Sequence, residues 1–256
     1  MTPAPFGRRL CPVVAHEQHG AYDVISVLDA EGPAPEAGQF YMLAASERWG
    51  GGADERPFLP RAFSVLRRHE DGRLDFLFED VGPGTRRLCE LRAGDGLWLL
   101  GSLGLGFRAP EPGRRPLLVG GGVGIAPLAI WQDVLGGAEA LVGFRDEAHA
   151  RGARLLRDPV VATDDGSVGH HGLVTELLRE ELDPFVTVYA CGPPPMLEAV
   201  RALCAAEDVP AQLALESGMA CGYGACFGCV VPTRDGYVRL CVDGPVLAAD
   251  DLELVA

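Results

Sequence analysis

Leu117-Leu118-Val119-Gly120-Gly121-Gly122-Val123-Gly124-Ile125-Ala126-Pro127 passes from an apolar run through four glycines into a second apolar run. The apolar triplet reads as a buried strand, the glycines as a tight turn, and residues 125–135 as an apolar helix. Glycines at such a turn let the backbone approach a pyrophosphate, and the N-terminus of the following helix offers unpaired N–H groups at a positive dipole end. Gly120, Gly122, Gly124 and Pro127 are therefore candidate nucleotide contacts. Pro127 stands where the usual fingerprint has its third glycine, and a merely tight strand-to-helix turn is the alternative.

Downstream, strand-like runs at 140–144, 159–163 and 186–190 alternate with helical patterns near 173–182 and 194–206. Alternation of that kind implies a parallel sheet covered on both faces. Ligands on such sheets sit beyond the carboxyl ends of the strands, which puts Cys191, Gly192 and Pro193 where a nicotinamide can rest. A small polarizable thiol can pack there without blocking the ring; the alternative is a buried Cys ahead of a proline-started helix. Asp146 and Glu147 suit an adenosine ribose, while Arg145 beside them leaves a phosphorylated ribose open.

Upstream the pattern changes at a Pro- and Gly-containing linker, residues 109–116. Short strands are expected at 10–16, 21–28, 39–44, 62–67, 74–78 and 97–100, with turn signals about every ten residues. This predicts a small antiparallel barrel, interrupted by one short helix at 85–91 and by an exposed loop at 47–60 that contains Gly50-Gly51-Gly52. Arg61-Ala62-Phe63-Ser64 offers a guanidinium for a phosphate and a hydroxyl for a ring heteroatom, and Thr85 in Gly82-Pro83-Gly84-Thr85 caps a helix whose N-terminus suits a second phosphate. Taken alone, each is more often ordinary barrel structure, because Arg and Ser are common on strand edges.

Four of the eight cysteines gather near the C-terminus as Cys221-x4-Cys226-x2-Cys229, followed by Cys241. That spacing is the plant-type [2Fe–2S] ligand pattern, and Gly222, Gly224 and Gly228 let the chain wrap closely around inorganic sulfide. A structural zinc site, the alternative, shows two C-x2-C knuckles and no glycine-rich wrap. Cys11, Cys89 and Cys204 read as packing residues, and the pair His170-His171 as solvated.

Composition narrows the classes further. The chain has 256 residues, 48% hydrophobic and 23% charged, enough for a full core and too apolar for disorder. Its net charge of −14, with no gathered basic patch, argues against nucleic acid and anionic membrane as partners. All 22 basic residues are Arg, which excludes Schiff-base chemistry and a lysine phosphate loop. No run approaches a membrane span and no apolar leader follows Arg8 and Arg9, so a cytoplasmic protein is expected.

In their order along the chain these motifs resemble the ferredoxin–NADP reductase superfamily. Within it they are similar to the electron-transfer subunits of NAD-dependent dihydroorotate dehydrogenase, through Thr163-Asp-Asp-Gly-Ser167, Leu215–Cys229 and Cys241-Val-Asp-Gly-Pro-Val246. The resemblance implies an α+β multi-domain chain: an antiparallel flavin-binding β-barrel (1–110), a Rossmann-like parallel α/β nucleotide domain (111–210) and a small C-terminal [2Fe–2S] domain (211–256). It implies FAD held through Arg61, Ala62, Phe63, Ser64, Leu77, Phe78, Glu79, Gly84 and Thr85, and NAD at Gly120, Gly122, Gly124, Pro127, Cys191, Gly192 and Pro193. Ser64 and Cys191 would flank the reacting rings, and Cys221, Cys226, Cys229 and Cys241 would hold the cluster. Two departures stand out: Pro83 replaces a residue that is often Lys, and Phe78-Glu79 replaces a Tyr-Arg-like pair, which places a carboxylate where a phosphate is expected. The family relays electrons from an FMN-containing catalytic subunit, two copies of each subunit being expected. Its neighbour in the superfamily, an NAD(P)H–ferredoxin or hydrogenase-type reductase subunit, uses the same carriers with another partner.

Overall fold

The structure, a computed structural model, describes residues 7–51 and 56–252. Gly52 of the expected 47–60 loop lies outside the described residues. Strands β1 (Arg8–His19), β2 (Tyr22–Leu28), β3 (Phe40–Ala45), β4 (Arg61–Arg68) and β5 (Arg73–Glu79) come first, then helix α1 (Pro83–Cys89) and strand β6 (Gly96–Leu103). The six strands close into an antiparallel barrel in the order β1-β2-β5-β4-β3-β6. β6 alternates half-buried and buried residues along its whole length, the period of two that a strand with one face on a core requires. The short helix starts two residues before the expected position because Pro83, with its fixed φ and missing N–H, suits a first helical turn.

The second half runs β7 (Arg115–Gly121), α2 (Ile125–Val134), β8 (Glu139–Phe144), α3 (Glu147–Ala150), β9 (Val160–Thr163), β10 (His170–His171), α4 (Val174–Glu181), β11 (Val186–Cys191), α5 (Pro194–Ala206) and β12 (Ala211–Ala214). A hairpin of β13 (Val230–Thr233) and β14 (Gly236–Arg239), helix α6 (Leu240–Asp243) and β15 (Val246–Ala248) complete it. One seven-stranded sheet results, in the order β10-β9-β8-β7-β11-β12-β15. It is parallel except for β15, which runs antiparallel to β12, a strand direction that the alternating pattern does not announce. α3 and β10 also escape sequence reading, being too short to show a period.

Strand order positions the site. From β7 the chain goes to β8 on one side and later to β11 on the other, so the crevice beyond the carboxyl ends of β7 and β11 is the topological switch point where open α/β sheets bind ligands. β11 is buried throughout, as a central parallel strand must be. α2 is buried from Ile125 to Gln132 because the sheet lies on one side of it and the barrel on the other, which explains a helix apolar all round. Trp131 on α2 stacks on Phe107, and both rings meet Tyr189 of β11. Barrel and sheet thus share one continuous core.

A separate small core joins Phe40, Met42 and Leu103 of the barrel to Cys229, Leu240 and Cys241. It fixes the cysteine loop against β3 and β6. Cys11 and Cys204 are buried packing residues, and His170 pairs with Glu176 at 2.6 Å on the surface. No helix among the described residues is long and apolar enough to cross a membrane.

Candidate flavin, nucleotide and cluster sites

Two cavities meet at the switch point. The first, of about 230 Å³, is lined by Ala62, Phe63 and Ser64 of β4, Leu77, Phe78 and Glu79 of β5, and Thr85 of α1. Val123, Cys191, Glu216 and Met219 close it from the other side. Arg61 and Gly84 do not line it; they are the chain neighbours of Ala62 and Thr85, which do. A Cβ on Gly84 would stand 2.6 Å from Arg61 Nε, so the guanidinium lies directly on the first turn of α1, in space that the missing side chain leaves open. Arg61 is further held by donating Nη1–H to the Leu59 carbonyl at 2.6 Å. A guanidinium against a helix N-terminus, beside a cavity with Phe63 and Phe78 on its wall, fits a dinucleotide flavin that carries a planar ring and a pyrophosphate. Thr85 is the third residue of α1 and not the residue before it; its hydroxyl accepts from the Val81 and Gly82 N–H groups at 2.9 and 3.1 Å and closes the turn.

The second cavity, of about 690 Å³, is lined by Gly121 at the end of β7 and Gly122, Val123 and Gly124 after it, Arg145, His149 and Asp164 after β8 and β9, and Gly192 to Met196 after β11. The two glycine turns pinch together: a Cβ on Gly192 would lie 3.0 Å from Gly121 N, and one on Gly124 only 2.3 Å from the Cys191 carbonyl oxygen. Gly120 and Pro127 do not line the cavity. Gly120 gives up its side chain to let Ile125 and Leu128 pack on the sheet, and Pro127 is buried in the first turn of α2. Gly122, Gly124, Gly192 and Pro193 do face it, and Cys191 faces the flavin-side cavity at 1% exposure. Burial pushes the Cys191 thiol well above its ordinary pKa, with the Glu216 carboxylate adding to the effect, so it is a neutral packing group and not a nucleophile.

Glu216 belongs to both cavities and escapes sequence reading. It opens onto the cleft but is walled in by protein, and that enclosure raises its carboxyl pKa. Only its place just after a strand of the parallel sheet, β12, could have signalled it. Glu79 also lines both cavities, and it pairs with Arg145 and lies 3.3 Å from His149 Nε2 instead of standing free beside a phosphate.

The four C-terminal thiols form two pairs. Burial tends to raise the Cys221 pKa, but the N–H groups of Cys226, Tyr223 and Ala225 and the Cys226 side chain outweigh it and hold the thiol near about 6. Cys241 is pushed up to about 12 by burial and by neighbouring Cys229, and it also feels Cys221. Gly222 and Gly224 turn the loop with φ of +80° and +85°, and the Gly228 N–H points at Cys226 Sγ at 3.5 Å. Among the described residues no three Cys, His, Asp or Glu side chains meet the geometry of a single-ion site. Three thiols on a glycine-rich loop and a fourth, Cys241, brought to them by α6 suit a two-iron cluster, which takes two thiolates per iron. Leu215 and Met219, at the head of this loop, line the flavin cavity and pack on the small core that holds Cys229 and Cys241.

Residues 216–253 match the iron-sulfur cluster binding domain of dihydroorotate dehydrogenase B. The electron transfer subunit of dihydroorotate dehydrogenase B (NAD(+)) from Caldanaerobacter subterraneus subsp. tengcongensis is 37% identical over 229 residues, covering 87% of this chain and 89% of the relative. Its counterpart from Bacillus velezensis is 36% identical over 232 residues, covering 86% and 88%. The chain belongs to the dihydroorotate dehydrogenase B electron transfer subunit family. Among solved structures, an NADH-dependent reduced ferredoxin–NADP oxidoreductase matches with a TM-score of 0.80 at 23% identity, covering 96% of this chain and 91% of the other. A ferredoxin NADP+ reductase from Neisseria gonorrhoeae with bound FAD and NADP matches with a TM-score of 0.62 at 19% identity, covering 78% and 91%. These two show that this family member has the ferredoxin-reductase fold.

Proposed function

We propose that this family member carries electrons between an FMN-containing dihydroorotate dehydrogenase catalytic subunit and NAD+, in the oxidative step of pyrimidine synthesis. The observation that carries this reading is contiguity: Glu216 is shared by the flavin and nucleotide cavities, and Leu215 and Met219 connect the flavin cavity to the core under the cluster loop. When bound, a flavin exchanges a hydride with nicotinamide and single electrons with a [2Fe–2S] cluster, which makes the central site the converter between two-electron and one-electron chemistry.

The chain's own residues supply position and exclusion. Arg61 and the first turn of α1 would hold the FAD pyrophosphate, and Ala62, Phe63, Leu77 and Phe78 would wall the flavin. Ser64 would offer it a hydroxyl, and Cys191 would give the nicotinamide a small neutral surface. Gly122, Gly124, Gly192 and Pro193 shape the NAD pyrophosphate seat, while Cys221, Cys226, Cys229 and Cys241 hold the cluster. Cys226 is exposed, with Tyr223, Phe227 and Val242 exposed nearby, and this is the surface that would receive the catalytic subunit. We divide the chain into a flavin barrel (1–110), a nucleotide domain (111–210) and a cluster domain (211–256) tied to the parallel sheet by β12 and β15. Two copies of each subunit, in the cytoplasm, complete the proposal.

The test is to isolate the protein anaerobically with its native partner and supply dihydroorotate and NAD+. NADH formation by a complex containing FMN supports the proposal. A flavin- and iron-containing preparation that reduces dyes with NADH, ignores dihydroorotate and carries a different partner overturns it.

A further inference from the structure

Among the described residues lining the nucleotide cavity there is one guanidinium, that of Arg145, at the end of β8. The end of the second strand of such a sheet is where the adenosine ribose is read, by a carboxylate for a free 2′-hydroxyl or by an Arg for a 2′-phosphate. The local sequence Arg145-Asp146-Glu147 contains both chemistries. The structure shows how each is engaged. Asp146 is the N-cap of α3: its Oδ1 accepts the His149 backbone N–H at 3.0 Å and lies 2.6 Å from His149 Nδ1. The His149 ring therefore presents Nε2 as an acceptor, and Arg145 Nε donates to it at 2.8 Å. Arg145 Nη2 donates to Glu79 Oε1, a carboxylate from β5 of the barrel, 66 residues away in sequence. The guanidinium is thus turned toward the barrel, with its charge compensated there.

We infer that Glu79 is a specificity-determining residue, which compensates and orients Arg145 so that the nucleotide cavity favours NAD over NADP. The inference rests on the NAD assignment proposed above and goes beyond it by naming the residue that sets the choice. A phosphate monoester at the 2′ position brings about two negative charges. It would meet a cavity lined by the carboxylates of Glu79, Asp164 and Glu216, with its one guanidinium already paired. A free 2′-hydroxyl brings no charge and needs no such partner. The same contact accounts for the departure at Glu79: a carboxylate ill suited to a flavin phosphate is well suited to hold a cation from the neighbouring domain.

The test replaces Glu79 by Gln, which keeps the size and the hydrogen-bonding capacity but removes the charge. Two readouts are compared with the parent holoprotein: the ratio of kcat/KM for NADPH to that for NADH in dye reduction, and calorimetric binding of adenosine 2′,5′-bisphosphate against 5′-AMP, which needs no turnover. Because Arg145 is solvent-accessible at its far side, a moderate gain is expected, about tenfold in favour of the 2′-phosphorylated ligand in both readouts. The Glu79→Gln/Arg145→Ala double variant should lose that gain. If Glu79→Gln does not retain its fold, Glu79→Asp, which withdraws the carboxylate by one methylene, should move both ratios in the same direction by a smaller factor. Unchanged discrimination, or an equal gain without Arg145, overturns the role of Glu79 while leaving the nucleotide site standing. A parent protein that binds neither 5′-AMP nor the bisphosphate removes the nucleotide assignment and this inference with it.

Discussion

Gly124→Ala tests whether the pinch between the two strand ends builds the nucleotide site. Gly124 has φ −62° and ψ −8°, a conformation alanine adopts freely, so no backbone strain enters. Gly124 is the N-cap of α2, where Gly is favoured over Ala, a small effect in the same direction as the steric one. The added Cβ would lie 2.3 Å from the Cys191 carbonyl oxygen and 2.7 Å from Gly192 N, whereas ordinary contact begins at 3.4 Å. Both obstacles are backbone, so one strand end must move by about 1 Å, at an overpacking cost of about 1–3 kcal/mol. The loss of about 1–3 kcal/mol should lower Tm by roughly 2–12 °C. Function should suffer more than stability, because a misplacement of about 1 Å between reacting groups costs on the order of a hundredfold. Steady-state dye reduction with NADH, read as kcat/KM at constant flavin content, measures this. Parent-like kcat/KM for NADH in a folded Gly124→Ala protein would mean that the turn is not the seat of the nucleotide.

Other outcomes follow from the same geometry. Arg61→Ala should weaken FAD binding by roughly tenfold to a hundredfold, the loss of charge-assisted phosphate contacts, measured as flavin retained on dilution. Cys226→Ser should remove iron and the cluster's paramagnetic signal on reduction while leaving dye reduction by NADH near the parent rate, because the exposed loop lies beyond the flavin cavity. Glu216→Gln should melt higher than the parent at about pH 8, with the gap narrowing toward about pH 4. The sign follows from the raised pKa of Glu216: as pH rises the unfolded chain ionises first, so the free carboxyl costs the folded state stability only above the ordinary glutamate range.

Much of this architecture is legible in the sequence because the signals are local. The strand, glycine turn and helix at 115–134 show their periods within twenty residues, and the cysteine spacing at 221–229 carries its own chemistry. What was not legible depends on distant pairing. β15 joins the sheet antiparallel to β12 after a 31-residue excursion through the cluster loop, and three residues announce neither direction nor partner. Glu216, Leu215 and Met219 enter the flavin cavity only because β12 ends at the switch point. Gly120 and Pro127 look like ligand contacts in the motif, yet they serve helix-on-sheet packing, a distinction that only the third dimension makes. Glu79, odd as a phosphate neighbour in the sequence, acquires a reason once Arg145 is seen across the domain boundary.

With FAD and a [2Fe–2S] cluster, one chain carries both a two-electron and a one-electron centre. Anaerobic reductive titration of the isolated holoprotein, followed by absorbance, counts both. Uptake of about three electron equivalents per chain, two on the flavin and one on the cluster, is the expected result. Uptake of only about two, with flavin bleaching and no further change, would contradict it.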